Sequence, residues 1–392
     1  MKADALTGAL TRPARDAPES RIVEVAAYGR GREDVIPLWV GEGDRPTPGF
    51  ICDAAARSLA AGETFYTYQR GIPELRSALA DYHTALFGGS FADDRFYVTG
   101  SGMQAIQLAV RMVAGAGDEI LVPTPAWINI IAATGINGAR PIEIPLSFGA
   151  DGWTLDLDRV AASITPKTKA IFFNSPSNPT GWVADESMLR AVYELAQRHG
   201  LWILADETYS RYFYGDAQRA PSFYDFAPAD ARILYVNTFS KNWAMTGWRV
   251  GWISAPPELG QVIENLIQYS TSGVPVFMQR GCVAALRDGE DFVAEQVARA
   301  RAGRDLLSQA LSDAGCFRFA DPAGAFYHFF AIDGQTDTLK LGLRLVDEAN
   351  VGLAPGDAFG AAGAGFLRLC FLRSADQLQL AAERLRDWAR TQ

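Results

Sequence analysis

Between residues 95 and 255, short apolar runs alternate with stretches of helical spacing. The runs are RFYVTG (95–100), EILVPTP (119–125), ARPIEIPL (139–146), KAIFFNSP (169–176), LWILADE (201–207), RILYVNTFS (232–240) and RVGWISA (249–255). Short apolar runs bounded by Gly, Pro and Asn are the mark of strands buried on both faces. Between them, AIQLAVRMVAGAG (105–117) and MLRAVYELAQRHG (188–200) repeat their apolar residues at helical spacing. Seven strands separated by helices predict an α/β fold, with a mostly parallel seven-stranded sheet covered by helices on both faces.

The pattern changes after residue 281. VAALRDGEDFVAEQVARARAGRDLLSQALSDAG (283–315) and SADQLQLAAERLRDWAR (374–390) are long helical patterns around two strand signals, AFYHFFAI (325–332) and FLRLCF (366–371). This predicts an arm at 1–18, a large domain at 47–280, and a smaller α+β domain from 19–46 with 281–392. Two domains also suit 392 residues, more than one core usually organises. A cleft between them can close and exclude water.

The net charge of −9 and a pI near 5.0, with no run rich in Lys or Arg, argue against nucleic acid as a partner. A small anionic substrate must then be held by local arginines. Cys52, Cys282, Cys316 and Cys370 form no CxxC pair, and His83, His199 and His328 lie far apart. No metal site or disulfide framework is expected, and the cysteines read as small core residues. No apolar stretch approaches the roughly 18 residues of a membrane span, and the N-terminus, with Asp4, Asp16 and Glu19, lacks a signal-peptide core. The expectation is a cytoplasmic protein without membrane partners, whose arm is disordered or crosses a dimer contact.

Candidate chemistry concentrates in NTFSKNWAMTGWRVGW (237–252), where Thr238 and Ser240 precede Lys241 and Arg249 follows. Hydroxyls and a fixed guanidinium suit a phosphate ester, and an amine beside it can form an imine with an aldehyde. IFFNSPSNPTG (171–181) and WILADETY (202–209) end strands with Asn178, Asp206 and Tyr209 at the mouth of the sheet. Asp206 there is either a partner for a protonated ring nitrogen or a helix N-cap; the Asn-Pro pair is either a ligand contact or a turn. VTGSGMQAIQLAV (98–110) reads as strand, glycine loop and helix, whose first amides suit a phosphate. Trp127, in VPTPAW (122–127), is either a stacking ring or packing.

In this order, the segments resemble a class I/II aminotransferase of the aspartate aminotransferase superfamily, the fold type I group of pyridoxal-phosphate enzymes, from about Ser20 to the C-terminus. The resemblance implies pyridoxal 5'-phosphate bound as a Schiff base to Lys241, with Asp206 on the ring nitrogen and Asn178 and Tyr209 on the ring oxygen. It implies phosphate contacts from Ser101, Gly102, Met103, Thr238, Ser240 and Arg249, and Trp127 on the ring face. LWVGEGDRPTP (38–48) implies that Gly41 lies near the substrate carboxylate, and Arg368 in FLRLCF matches the arginine that takes it, with Arg373 as the nearby rival. FYTYQRGIPELR (65–76) matches the stretch whose tyrosine, here Tyr66, reaches the phosphate of a neighbouring subunit, implying a homodimer with active sites at the interface.

The implied reaction is ping-pong. An L-amino acid displaces Lys241, the freed lysine moves the α-proton to the aldehyde carbon, a 2-oxo acid leaves, and a second oxo acid reverses the sequence. A β-lyase or decarboxylase on the same fold uses the same residues. A non-catalytic cofactor-responsive regulator would need a DNA-binding segment, for which about 18 residues before Ser20 are too few. The chain departs from the common family pattern at Tyr68, Gln69 and Arg70. Arg45 or Arg70 either pairs with a distal carboxylate, favouring aspartate or glutamate, or makes surface contacts. Trp39 and Phe65 suit an aromatic or aliphatic donor, or the core.

Overall fold

The computed structural model describes residues 6–391. Each of the seven apolar runs becomes a strand of one sheet: β1 (Phe96–Thr99), β2 (Glu119–Thr124), β3 (Arg140–Pro145), β4 (Thr168–Asn174), β5 (Trp202–Asp206), β6 (Ile233–Thr238) and β7 (Gly251–Ser254). Their spatial order is β1-β7-β6-β5-β4-β2-β3. Only β7 is antiparallel to its neighbours, β1 and β6.

The period of two along a strand sorts residues into two layers. Ala170 and Phe172 of β4, Leu204 of β5, and Leu234 and Val236 of β6 join the core beneath the helix Gly102–Val113. Ile171, Phe173, Ile203, Ala205, Ile233 and Tyr235 join the core beneath the helix Glu186–Arg198. The same alternation carries Asn174, Asp206 and Thr238, the last residues of β4, β5 and β6, to the first of these layers. They stand at the carboxyl edge of the parallel strands, where open α/β sheets bind ligands.

A second sheet is antiparallel, ordered β8 (Phe317–Phe319), β9 (Tyr327–Ile332), β11 (Phe366–Cys370), β10 (Ala354–Pro355). The helices Glu290–Ala314 and Ala375–Ala389 bury Leu307, Leu311, Leu378 and Leu385 with Phe330, Leu367 and Leu369 of its strands. The short strand Ile36–Pro37 pairs in parallel with Val351–Gly352, which ties the N-terminal entry loop to this part of the chain.

The long helical pattern at 283–315 is broken. It forms two helices, Val276–Asp288 and Glu290–Ala314, separated at Gly289. A Cβ at Gly289 would fall 2.7 Å from the indole of Trp243 and 2.3 Å from the Ala285 carbonyl oxygen. The first helix packs on Gly49–Ala60 and Pro73–Phe87 instead of continuing along the second sheet. Of the N-terminal arm, residues 1–5 lie outside the described residues, and Arg12–Arg15 forms a helical turn beside Ile131–Ile136. Cys282 and Cys370 are buried, but Cys52 is exposed and Cys316 only partly buried; all four are free thiols. Among the described residues, no helix is long and apolar enough to cross a membrane, and no group of His, Cys, Asp and Glu is arranged to hold a metal ion.

Trp39 belongs to the core. Its indole lies in a slot between two glycines: a Cβ would meet it at 2.4 Å from Gly29 and at 1.8 Å from Gly352. Gly352→Ala therefore forces the indole to move, with an expected cost of about 1–3 kcal/mol. The helical Gly342, whose added Cβ would meet Val25 at 3.5 Å and the Leu353 carbonyl oxygen at 3.8 Å, both ordinary contacts, is the control. Urea unfolding should show Gly352→Ala clearly destabilised and Gly342→Ala unchanged or slightly more stable; equal midpoints would contradict the packing described.

Candidate functional site

The strand ends Asn174, Asp206 and Thr238 face a cavity of about 510 Å³. Lys241, on the turn after β6, reaches into it and donates from Nζ to the Gly41 carbonyl at 2.7 Å. No carboxylate bonds to this amine, and desolvation lowers its pKa from 10.5 to about 8. A neutral, nucleophilic amine is thereby available near neutral pH. Asp206 caps no helix. A turn follows it, its Oδ1 accepts the Thr208 amide at 3.1 Å, and burial raises its pKa against the pull of Thr208 and Lys241. Among the described residues, this buried carboxylate has no cationic partner within hydrogen-bonding distance.

Arg368, on β11, is almost fully buried and points into the same cavity. Nη1 donates to Asn178 Oδ1 at 3.0 Å, and Nη2 donates to the Trp39 carbonyl. Its guanidinium lies over the rings of Tyr327 and Phe359, at 4.6 and 4.9 Å from their centroids. Nε is buried without a partner. A buried guanidinium that meets only neutral acceptors is prepared for an incoming carboxylate. Arg373 instead donates to the Pro37 carbonyl at 3.2 Å and does not line the cavity.

At the far end, Ser101 caps the helix Gly102–Val113 by accepting the Gln104 amide at 3.1 Å. Ser101 has φ +122°, and Arg249 is left-handed at φ +54°. Strained positions of this kind cluster where a backbone must present groups to a ligand. A Cβ on Gly251 would fall 2.6 Å from the Gly102 nitrogen, so only glycine lets β7 pass beside the helix start. Thr238 and Ser240 share a 2.9 Å hydroxyl contact. Arg249 is exposed, donates to the Thr246 carbonyl at 2.6 Å and has no acidic partner among the described residues. Helix amides, two hydroxyls and an arginine thus converge on one anion-binding corner.

Gly41, Gly102, Met103, Trp127, Asn178, Asp206, Tyr209, Thr238, Ser240, Lys241, Arg249 and Arg368 all line the cavity. Ser101 stands beside it as the helix cap. Tyr66 does not: it is 95% exposed, next to exposed Phe65, in a separate groove. Arg45 and Arg70 are also elsewhere, paired with Glu295 at 2.5 Å and Glu264 at 2.7 Å. Three participants went unread in the sequence. Asn174 donates to the Asp206 carbonyl at 3.0 Å and accepts the Asn178 amide at 2.9 Å, Thr208 bonds Asp206, and the Tyr327 hydroxyl meets that of Tyr209 at 2.7 Å. Asn174 had a readable signal, the shared parity of strand ends; Tyr327 had none, because it comes from the second sheet.

A family model described as "Aminotransferase class I and II" matches residues 33–385. The chain is similar to a protein of Aquifex aeolicus described as "Probable aspartate/prephenate aminotransferase", 36% identical over 360 residues that cover 90% of each chain. It is also similar to two solved structures. One is the aspartate aminotransferase of Thermotoga maritima, with TM-score 0.91, 32% identity, and coverage of 97% of this chain and 99% of that one. The other is the aromatic aminotransferase of Pyrococcus horikoshii, with TM-score 0.86, 31% identity and coverage of 94% and 99%.

The environment of Lys241 carries its own test. In protein freed of small molecules, labelling of Lys241 by an amine-directed reagent, read by peptide mass spectrometry, should rise with pH about a midpoint near 8. Deprotonation makes the reactive form, so a lowered pKa moves the rise to lower pH. A midpoint at the ordinary lysine value would remove the desolvated amine from the description.

Proposed function

This chain belongs to the class I and II aminotransferases and is a pyridoxal-phosphate-dependent transaminase, and we propose that Lys241 moves the proton and Arg368 holds the carboxylate in its reaction. The observation that carries this reading is the pairing, in one cavity, of an uncharged-capable amine with a buried guanidinium that lacks any acidic partner. The residues fit the cofactor: the amine, the unpaired Asp206 carboxylate and the anion-binding corner match an aldehyde, a protonated ring nitrogen and a phosphate ester. Bound, the cofactor supplies a covalent link to the donor nitrogen and a ring that accepts electrons when the Cα–H bond breaks.

In this reading the amides of Ser101, Gly102 and Met103 with Thr238, Ser240 and Arg249 hold the phosphate. Trp127 lies on the ring face, and Asn178 and Tyr209 bond the ring oxygen. Asp206, kept from water, stabilises a proton on the ring nitrogen, a charge that matters most near the transition state. Arg368, steadied by Asn178 and the Trp39 carbonyl, takes the α-carboxylate of an L-amino acid, with Gly41 beside it. That fixes the Cα–H bond near Lys241 Nζ, which removes the proton and returns it at the adjacent carbon. One water would then hydrolyse the C=N bond, releasing the oxo acid while the amino group is retained, and a second oxo acid would run the steps backwards.

The same reading divides the chain into an arm (1–18), a small unit (19–46 with 281–392) and a large unit (47–280). It also makes the protein a homodimer. Phe65, Tyr66 and Tyr68 are 84, 95 and 64% exposed on one short segment, an apolar strip suited to a second copy, whose site Tyr66 would then complete. Sedimentation should give the mass of two chains, and Tyr66→Phe should weaken cofactor retention; a tight-binding monomer would count against both.

The function is tested by half-reaction. Holoenzyme mixed with an L-amino acid and no oxo acid should lose its yellow colour, release one oxo acid per site and recover on addition of an oxo acid. Persistent colour with catalytic release of pyruvate or carbon dioxide would identify a lyase or decarboxylase. Arg368→Gln should keep the cofactor but lose about 2–5 kcal/mol of carboxylate recognition, or roughly 30- to 3,000-fold in kcat/KM. Lys241→Ala should bind cofactor without turnover, and surviving transamination would reject its role.

A further inference from the structure

Once the cofactor and the α-carboxylate are assigned, the cavity lining left for the donor's side chain has an apolar side, with Ser20, Arg30, Glu42, Asn129 and Thr246 as its polar members. Ile22, Val23 and Ala26 come from the helix Arg21–Gly29, Val40 from the entry loop, and Met103 and Ile106 from the helix Gly102–Val113. Val23 and Val40 are 61 and 39% exposed although they border the cavity, so this wall presents apolar surface for a ligand to cover. Resting on the transaminase reading above, we propose that the donor is an amino acid with an uncharged apolar side chain, aliphatic or aromatic, in preference to one with a distal carboxylate.

Charge is the second, independent observation. Four cations border the cavity: Arg30, Lys241, Arg249 and Arg368. Lys241, Arg249 and Arg368 are committed to the reacting nitrogen, the phosphate corner and the α-carboxylate. Arg30 is exposed at the end of the helix Arg21–Gly29, where water screens it. Arg45 and Arg70 are occupied by Glu295 and Glu264 away from the cavity. Glu42 meanwhile borders it, accepting from Thr246 Oγ1 at 2.9 Å. Among the described residues of this chain, a side-chain carboxylate would therefore meet no uncommitted buried cation and would lie near the Glu42 carboxyl group, whereas an alkyl or aryl group displaces water from apolar surface.

The experiment is a single-turnover half-reaction of holoenzyme with alanine, leucine, phenylalanine, aspartate and glutamate, paired with calorimetric binding of two unreactive probes, 4-methylpentanoate and succinate. Leucine or phenylalanine should exceed aspartate and glutamate by at least about tenfold in kcat/KM, the scale on which one apolar contact discriminates, and 4-methylpentanoate should bind more tightly than succinate. Val23→Asn, at an exposed helical position, should lower leucine and phenylalanine by about tenfold more than it lowers alanine, and an equal effect on all three would count against the wall. Aspartate or glutamate matching the apolar donors, with succinate the tighter probe and both reduced by Arg30→Gln, would overturn the donor assignment and leave transamination standing. Failure of every amino acid to discharge the colour would overturn both.

Discussion

Two carbonyls two residues apart organise the site. The backbone oxygen of Trp39 accepts from Arg368, and that of Gly41 accepts from Lys241. Arg368 stands on β11 of the second sheet and Lys241 on the turn after β6 of the first. One short loop therefore holds both working cations at fixed positions relative to each other. Neutral acceptors suit this purpose because they position a cation without discharging it. A carboxylate in either place would raise the pKa of the lysine or fill the site prepared for substrate. The loop is itself fixed by the pairing of Ile36–Pro37 with Val351–Gly352 and by the Trp39 indole between Gly29 and Gly352.

Two adjacent acids show how strand geometry assigns roles. Asp206 ends β5 on the cavity side. Glu207, the next residue, turns to the other side and is bonded by the Ser222 hydroxyl at 2.6 Å. Burial pushes its pKa up to about 8, so it is held largely as a neutral acid below that pH. A buried ionised neighbour would place a second negative charge beside Asp206; a protonated one does not. The period of two thus separates a carboxylate available to a ligand from one absorbed by the fold.

Much of this was legible in the residue order, because the first sheet is built from contiguous strands whose ends are local features. The seven runs, the parity that groups Asp206 with Thr238, and the lysine turn are all short-range signals. What escaped depends on pairing between distant segments. Trp39 read as pocket or core, and it is both: Gly352, over 300 positions away, supplies the slot for its indole, and the residue also borders the cavity. Arg45 and Arg70 read either as partners of a distal carboxylate or as surface contacts until Glu295 and Glu264 were brought beside them. The two helices separate at Gly289, where the indole of Trp243 leaves no room for a Cβ, a contact the helical period cannot register. Tyr66 remains a residue whose expected role requires a second chain.

The helix Arg21–Gly29 has a standing unlike that of the strand ends. It is anchored by Val25 in the core and by the ion pair of Arg21 with Asp357, while Ile22, Val23 and Ala26 border the cavity. The apolar side left for the donor comes from three stretches, Ile22, Val23 and Ala26 on this helix, Val40 on the entry loop, and Met103 and Ile106 on the helix Gly102–Val113. Substitutions at the three positions on the helix Arg21–Gly29 reshape one side of the wall while Lys241, Asp206 and Arg368, which stand on other elements, keep their places.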